Sequence, residues 1–394
     1  MRVSLYGNAL NLAFLLGVFL RRKGHEARVF VNEEAADYDR PEWECVDPGE
    51  MKAVPLIPVK VDVKRLLLGG RTERRFRYDL AQADVVQTFG EGVVWSAGCG
   101  APDTVLSIGD DLDDLPFRTN NFRIRIYAAV LRRAQRRCVA VCFTMPPQEE
   151  SCRRLGLGHA RFLACAVPVD SQRFSPLSRE ERRRVRDRFG LPNDGFVVFQ
   201  PSRQEWTCPV EGSGSNHKGN DCFLRAYARF SNQRRQKPWL LAVAKGRDIM
   251  ASQQLAAQLG IADQIRWIPQ QNKANLRECL GACDIVADQF TYGFYGISTL
   301  EAMAVGRPVL VYLDEKVIER FRVERPPLVS VHSEDEIYKA LCDLAERPLA
   351  IEGLGEQARQ WIIRNHAWEP VIDRYLALYR DMNQNSKERQ HASV

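Results

Sequence analysis

The stretch that decides the fold opens with Ile285-Val286-Ala287. It continues through Gly293-Phe294-Tyr295-Gly296-Ile297-Ser298-Thr299-Leu300-Glu301-Ala302-Met303-Ala304-Val305-Gly306-Arg307-Pro308 and ends in Val309-Leu310-Val311-Tyr312. Two short apolar runs flank a glycine-punctuated turn and a helical segment starting near Ser298. That is a strand, helix, strand unit whose strands are buried on both faces. Gly293 and Gly296 let the backbone approach a ligand closely. The new helix presents N–H groups and a positive dipole end to an anion such as a diphosphate. Glu301, one turn in, can accept hydrogen bonds from a ribose diol. Ser298-x-x-Glu301 is also the spacing of a capping box, so the residue pattern leaves both roles open.

Outward from that unit, the same alternation repeats. Apolar runs at Phe196 to Gln200, Leu240 to Ala244 and Ile265 to Ile268 alternate with helical segments, which predicts a parallel, doubly wound sheet. A first series precedes it: Val3 to Tyr6, a Gly7-Asn8 turn, a helix from about Leu10 to Arg22, then strands at Ala27 to Val31, Val85 to Phe89, Thr104 to Ile108 and Val139 to Phe143. The proline-bounded stretch from Val167 to Pro176 separates the two series. The expected domains are residues 1–168 and 177–368. A terminal amphipathic helix over 371–382 packs back on the first, and a polar tail over 383–394 is expected to be disordered. Two such domains in 394 residues are expected to face each other across a cleft at the carboxyl ends of their strands, where this architecture binds ligands.

Composition narrows the classes further. With 45% hydrophobic and 27% charged residues, the chain reads as an ordinary globular protein. The apolar run Ala9 to Leu20 is shorter than the ~20 residues of a membrane span, and its basic cluster follows it rather than precedes it. A cytoplasmic protein is expected. The 11 cysteines show no CxxC pair, and Cys279 and Cys283 read as core residues. No metal site is expected. The net charge of +6 is modest, and no nucleic-acid partner follows from it. Arg118 to Arg137 nevertheless holds seven arginines and no acid, with Arg125, Arg132 and Arg136 on one helical face. That is a basic amphipathic helix: a solvated charged face, or a contact for anionic lipid or a phosphorylated acceptor.

A second informative segment follows the strand at Phe196 to Gln200. It runs Pro201-Ser202-Arg203-Gln204-Glu205-Trp206, then a Gly/Ser-rich insert, then His217-Lys218-Gly219. A planar guanidinium and a point-charge ammonium at the end of a buried strand suit a pyrophosphate. Gly7-Asn8 is not a G-x-G-x-x-G, which disfavours a nicotinamide cofactor. Asp111-Leu112-Asp113 matches a metal-binding DxD only as three letters.

The ordered set resembles glycosyltransferase family 4, the large retaining group with the GT-B fold, over most of the chain. The resemblance implies an α/β fold of two Rossmann-like, doubly wound parallel-sheet domains. It implies pyrophosphate binding and leaving-group stabilisation by Arg203 and Lys218-Gly219, and ribose binding by Glu301 in the Glu-Ala-Met-Ala run. Val167-Pro168-Val169-Asp170 to Phe174-Ser175-Pro176 echoes the family's domain crossing, and Trp368-Glu369 its returning helix. The implied activity is transfer of a sugar from a UDP- or GDP-sugar to a saccharide or lipid-linked acceptor, without a cofactor, in cell-surface polysaccharide or glycoconjugate synthesis. A peripheral site at the inner membrane face fits the arginine-rich helix.

Two departures stand out. Gly293 replaces the first glutamate of the family's E-x7-E pair, so contacts to the transferred sugar fall to Asp288 or to backbone amides of Phe294 to Ile297. Gly109-Asp110-Asp111 follows a strand where the family has His-Gly-x-Asp. Asp111 is the acidic residue expected to orient an acceptor hydroxyl or the donor sugar, or else to cap a helix. By the same resemblance Gly7 and Asn8 lie against donor or acceptor. A non-catalytic homologue that binds a nucleotide sugar or a partner, and an epimerase or phosphorylase on the same fold, are the alternatives.

Overall fold

The computed structural model describes residues 1–34, 36, 39–44, 47–60, 71–146, 148–208 and 217–392. Most of the Gly/Ser-rich insert after Trp206 lies outside the described residues. The chain forms two compact units, Met1–Pro168 with Trp368–Val394, and Val169–Ala367.

The first unit is built on seven strands: β1 Arg2–Tyr6, β2 Glu26–Asn32, β3 Leu56–Val59, β4 Val85–Phe89, β5 Asp103–Leu106, β6 Ala140–Phe143 and β7 Ala160–Phe162. All pair in parallel, in the order β3-β2-β1-β4-β5-β6-β7. The order reverses between β1 and β4, whose register sets Val3 beside Val85. The helix after β1 is Leu12–Arg22, two residues shorter than expected, because Leu10 and Asn11 adopt left-handed conformations with φ of 54° and 58°. The terminal helix Trp368–Ala392 belongs to this unit. Trp368 stacks on Phe19 at 5.4 Å, and buried Val371, Ile372, Tyr375, Tyr379 and Met382 recur at helical spacing. That helix runs through most of 383–394, where a disordered tail was expected. After Pro370 in its first turn the helix contains no glycine or proline, and Lys387 to Gln390 are good helix formers.

The second unit has six parallel strands: β8 Val197–Gln200, β9 Trp239–Val243, β10 Ile265–Ile268, β11 Ile285–Ala287, β12 Val309–Val311 and β13 Val329–Ser330, in the order β10-β9-β8-β11-β12-β13. The reversal here lies between β8 and β11, paired Val198 to Ile285. Its core gathers Phe223, Tyr227, Phe230, Leu240, Ile285 and Leu310, all buried. Arg186 is buried beneath this sheet and donates to the carbonyls of Ala282, Pro192, Asn193 and Gly195 and to Asp284, so its charge is paired and its donors are placed. The unit begins and ends at adjacent points. Val169 and Ala367 form a parallel bridge, and the Val169 amide donates to the His366 carbonyl at 2.8 Å.

Cys279 and Cys283 are core residues, and no cluster of potential metal ligands occurs among the described residues. No described helix is long and apolar enough to cross a membrane.

Candidate functional site

In an open α/β sheet, ligands bind beyond the carboxyl ends of the strands where the strand order reverses. In the second unit that point is shared by the loops after β8 and β11, which carry Arg203 and Lys218 on one side and Asp288 to Gly296 on the other.

The segments that carry Arg203 and Lys218 are joined by a backbone zipper. The Lys218 amide donates to the Glu205 carbonyl at 2.7 Å, the Glu205 amide donates to Asn220 Oδ1, and Phe290 N–H closes onto the Lys218 carbonyl. Asp248 holds the loop from outside by accepting from the amides of Trp206 and Thr207. The Arg203 guanidinium is exposed, 3.5 Å from Glu205 Oε1. Lys218 Nζ donates to Gln289 Oε1 at 2.9 Å, and the same carboxamide donates through Nε2 to the Phe294 carbonyl. Gln289 therefore ties the ammonium to the glycine turn. Gly219, with φ of +70°, begins the helix Asn220–Asn232 and packs so closely on Phe290 that a Cβ would stand 3.1 Å from its Cβ.

The turn after β11 is shaped by Gly293, with φ of +78°. A Cβ there would meet Asp314 Cβ at 3.1 Å. Phe294 and Tyr295 stack on one another at 4.2 Å, and both rings are buried, Tyr295 edge-on to Trp361 and His366. Their side chains, like that of buried Leu300, serve the core, so only backbone between Phe294 and Ile297 is available to a ligand.

The helix Ile297–Ala304 starts from Gly296, not Ser298, and Gly296 supplies no side-chain cap. The capping box is therefore not formed. Asp288 takes part of that role instead, accepting from the Thr299 hydroxyl at 2.6 Å and from the Thr299 amide. Burial pushes the Asp288 carboxyl above its ordinary range, and Thr299 and the Lys218 charge oppose that shift. The amides of Ile297 and Ser298 have no acceptor one turn back within the helix. Glu301, 5% exposed, forms an ion pair with Lys273 at the start of the helix Lys273–Ala282.

Residue patterns had singled out neither Lys273 nor Gln289. Lys245, after β9, was also missed; it contacts Gln270, and its carbonyl accepts from the Gln204 amide. The available signal was positional, since each polar residue directly follows a buried strand or opens the next helix.

In the first unit, Gly7 has φ of +83°, and a Cβ would stand 2.6 Å from the Phe89 carbonyl oxygen. Asn8 is buried. Its carboxamide donates to Asn11 Oδ1 and the Asp39 carbonyl and accepts from the Phe14 amide, so it braces its own loop. Asp111 is 2% exposed, and its Oδ1 accepts from Ser107 Oγ and from the amides of Ile108 and Gly109. Burial foremost, eased by the Ser107 hydrogen bond, raises its pKa to about 7. Those amides precede the short helix Asp110–Asp113, so Asp111 folds the turn before it and does not cap it. The basic helix, Phe122–Arg137, is also less free than its face suggested. Arg132 donates to the Pro116 carbonyl and Arg136 to that of Leu155.

Comparison with known proteins fits this arrangement. Residues 200–361 match the family model described as Glycosyl transferases group 1. A D-inositol 3-phosphate glycosyltransferase of Saccharomonospora viridis is 30% identical over 232 residues, covering 54% of this chain and 48% of that protein. A second such enzyme, of Catenulispora acidiphila, is 26% identical over 230 residues, 56% of this chain and 52% of its own. The chain spans about half the length of these curated relatives. Among solved structures, a Rickettsia africae glycosyltransferase superposes with a TM-score of 0.71 at 13% identity, covering 98% of this chain and 99% of that one. Anabaena HepE, solved with UDP and glucose, gives 0.70 at 14%, covering 97% of this chain and 100% of its own. The chain thus has the GT-B α/β fold, and its second unit is similar to the group 1 glycosyl transferases.

Proposed function

We propose that the chain transfers a sugar from a nucleotide-diphosphate sugar to a saccharide or lipid-linked acceptor, with the donor on the second unit and the acceptor on the first. One observation carries this reading. The loops after β8 and β11, which carry Arg203, Lys218 and the start of the helix Ile297–Ala304, lie side by side where the strand order reverses, and Gln289 ties Lys218 to the turn before that helix, in which Glu301 stands one turn on. As the bond from the anomeric carbon to the diphosphate breaks, negative charge builds on the leaving oxygen. The guanidinium, the ammonium and the amides of Ile297 and Ser298 stabilise that charge. Glu301 accepts from the ribose diol, with Lys273 as its counter-ion.

A UDP- or GDP-hexose donor, retention of configuration, metal independence and a role in surface polysaccharide or glycoconjugate synthesis belong to the same reading by resemblance. So does a cytoplasmic site of action. Exposed Arg123, Arg125, Arg133 and Arg137, with Phe122 76% exposed beside them, support contact of the first unit with anionic lipid. Co-sedimentation with phosphatidylserine vesicles tests that contact; loss of binding on charge reversal of these arginines is expected, and no binding at physiological salt counts against it.

The donor site is tested by thermal denaturation with UDP, GDP, ADP and dTDP. A nucleotide at a hundred times its Kd adds ~2.7 kcal/mol to the stability of the form it binds. One nucleotide is expected to raise the transition, and Glu301→Gln to diminish the rise; no response to any at millimolar concentration sinks the reading. Gly293 is the observation that favours the second reading, a non-catalytic homologue, because no carboxylate stands there. Nucleotide binding without product from any sugar donor and acceptor would select it.

A further inference from the structure

We infer that Gln289 is a positioning residue for the donor: its carboxamide holds the Lys218 ammonium against the glycine turn without neutralising the charge that a diphosphate needs. This rests on the donor reading above and adds the residue through which Lys218 acts.

Both side chains stand on fixed backbone. The Asp288 amide donates to the Leu310 carbonyl at 3.0 Å, the Tyr312 amide to the Gln289 carbonyl at 2.9 Å and the Phe290 amide to the Lys218 carbonyl at 3.0 Å. The Thr291 hydroxyl donates to the His217 carbonyl. Lys218 and Gln289 thus leave from two segments that are hydrogen-bonded to each other beside the pairing of β8 with β11.

Gln289 is 5% exposed, and both ends of its carboxamide are used. Oε1 accepts from Lys218 Nζ at 2.9 Å, and Nε2 donates to the Phe294 carbonyl at 2.8 Å. The partners fix which end is which, since an ammonium only donates and a carbonyl only accepts. A Cβ on Gly296 would stand 3.8 Å from Nε2, so the same carboxamide lies against the residue from which the helix Ile297–Ala304 starts.

The pair of contacts requires a neutral group that accepts at one end and donates at the other. An ionised glutamate has the same length and no donor. It would set a carboxylate oxygen against the Phe294 carbonyl and form an ion pair with Lys218. A leucine would leave the carbonyl without its donor and the ammonium without this acceptor. Arg203 shows the contrast, because its guanidinium lies 3.5 Å from a carboxylate oxygen of Glu205. The carboxyl next to Gln289 in sequence, Asp288, accepts from the Thr299 hydroxyl, and burial pushes it toward its neutral form, with the Lys218 charge opposing.

An ammonium held in this way is in place before the donor arrives. Ordering a lysine side chain on binding costs about 0.5–1.5 kcal/mol, and a contact already made in the free protein lowers that cost. As the bond from the anomeric carbon to the diphosphate breaks, the charge on the leaving oxygen meets an ammonium that needs no reorganisation.

The test is calorimetric titration of the full chain and of four variants, Gln289→Leu, Lys218→Met, the two combined, and Gln289→Glu. UDP, GDP, ADP and dTDP are titrated into the parent, and the variants are compared on the one that binds tightest. Gln289→Leu is expected to weaken binding by about ten-fold, and Lys218→Met by at least as much. In the Lys218→Met background, adding Gln289→Leu is expected to change Kd by less than about two-fold, because the carboxamide then has no ammonium to hold. Gln289→Glu is expected to bind about ten-fold more weakly and with a shallower salt dependence, since its carboxylate pairs with the ammonium. Losses from Gln289→Leu and Lys218→Met that multiply would mean that the carboxamide shapes the turn independently of Lys218, and they overturn the inference. A Gln289→Glu or Lys218→Met variant that binds as tightly as the parent does the same. If Gln289→Leu shows no folding transition, Gln289→Glu, of the same size, decides by these two outcomes alone. A parent chain that binds none of the four nucleotides sinks the donor reading, and this inference falls with it.

Discussion

Replacing Lys273 with methionine isolates the ion pair at the centre of the donor site. The Glu301 carboxylate is 5% exposed, and the Lys273 side chain that neutralises it retains 20% exposure. Removing one partner of a buried pair leaves the other charge uncompensated, at a cost of ~3–5 kcal/mol. Because Lys273 still reaches water, the low end applies, ~3 kcal/mol. A unit of this size shifts its transition by ~2–4 °C per kcal/mol, so Lys273→Met should lower the second unit's transition by ~6–12 °C. Scanning calorimetry measures it, and the nucleotide-sensitive transition identifies the unit. Lys273→Met combined with Glu301→Gln should recover much of the loss, because the buried carboxamide is neutral. A single variant within 1 kcal/mol of the parent, or a double variant no better than the single, refutes the argument that Glu301 depends on this ammonium.

Other consequences are equally direct. Arg203→Ala should weaken nucleoside diphosphate binding by about ten- to a hundred-fold in calorimetric titration and leave the thermal transition of the free protein nearly unchanged, because the guanidinium is exposed. Gly293→Glu places a family-like glutamate where φ is +78° and Asp314 stands close, so it should destabilise the second unit by ~1–3 kcal/mol. A stable variant with increased turnover would show that reasoning to be wrong. Asp111 has its pKa raised to about 7, so the folded form holds its proton more tightly than the unfolded chain. Its contribution is present at low pH and is lost as pH rises from about 4 to about 7. Asp103, raised to about 6, acts in the same sense. Asp111→Asn should flatten part of that decline and leave the variant more stable than the parent at pH 8 by chemical denaturation; an unchanged profile would mean the carboxyl is not the titrating group.

The parts of the fold legible in the sequence were the strands with apolar residues on both faces. The strand at Val85 to Phe89 and the strands at Ile265 to Ile268 and Ile285 to Ala287 occur where the pattern put them. The three that escaped notice, β3, β7 and β13, are all sheet edges. An edge strand needs no continuous apolar run; β3 contains Pro58, and β13 is only two residues long. The late helix start at Leu12 was hidden because Leu10 and Asn11 take a backbone conformation that neither residue type announces.

At the site, motif spacing located Arg203, Lys218 and Glu301. It left Glu301 between a capping box and a ribose contact, and the ion pair with Lys273, 28 positions away in sequence, was out of its reach. The side chains of Asn8, Asp111, Phe294 and Tyr295 brace loops and core, an arrangement that their place in the chain does not announce.

The bridge between Val169 and Ala367 makes the second unit a parenthesis within the first. A chain that leaves and returns through neighbouring residues can be shortened without rerouting either sheet. Residues 169–367 should express as a free-standing nucleotide-binding module with touching termini, while a few glycines from Pro168 to Trp368 should seal the remainder, terminal helix included. The two halves of the proposed reaction then become separable reagents, one to be assayed for the donor alone and the other for the acceptor.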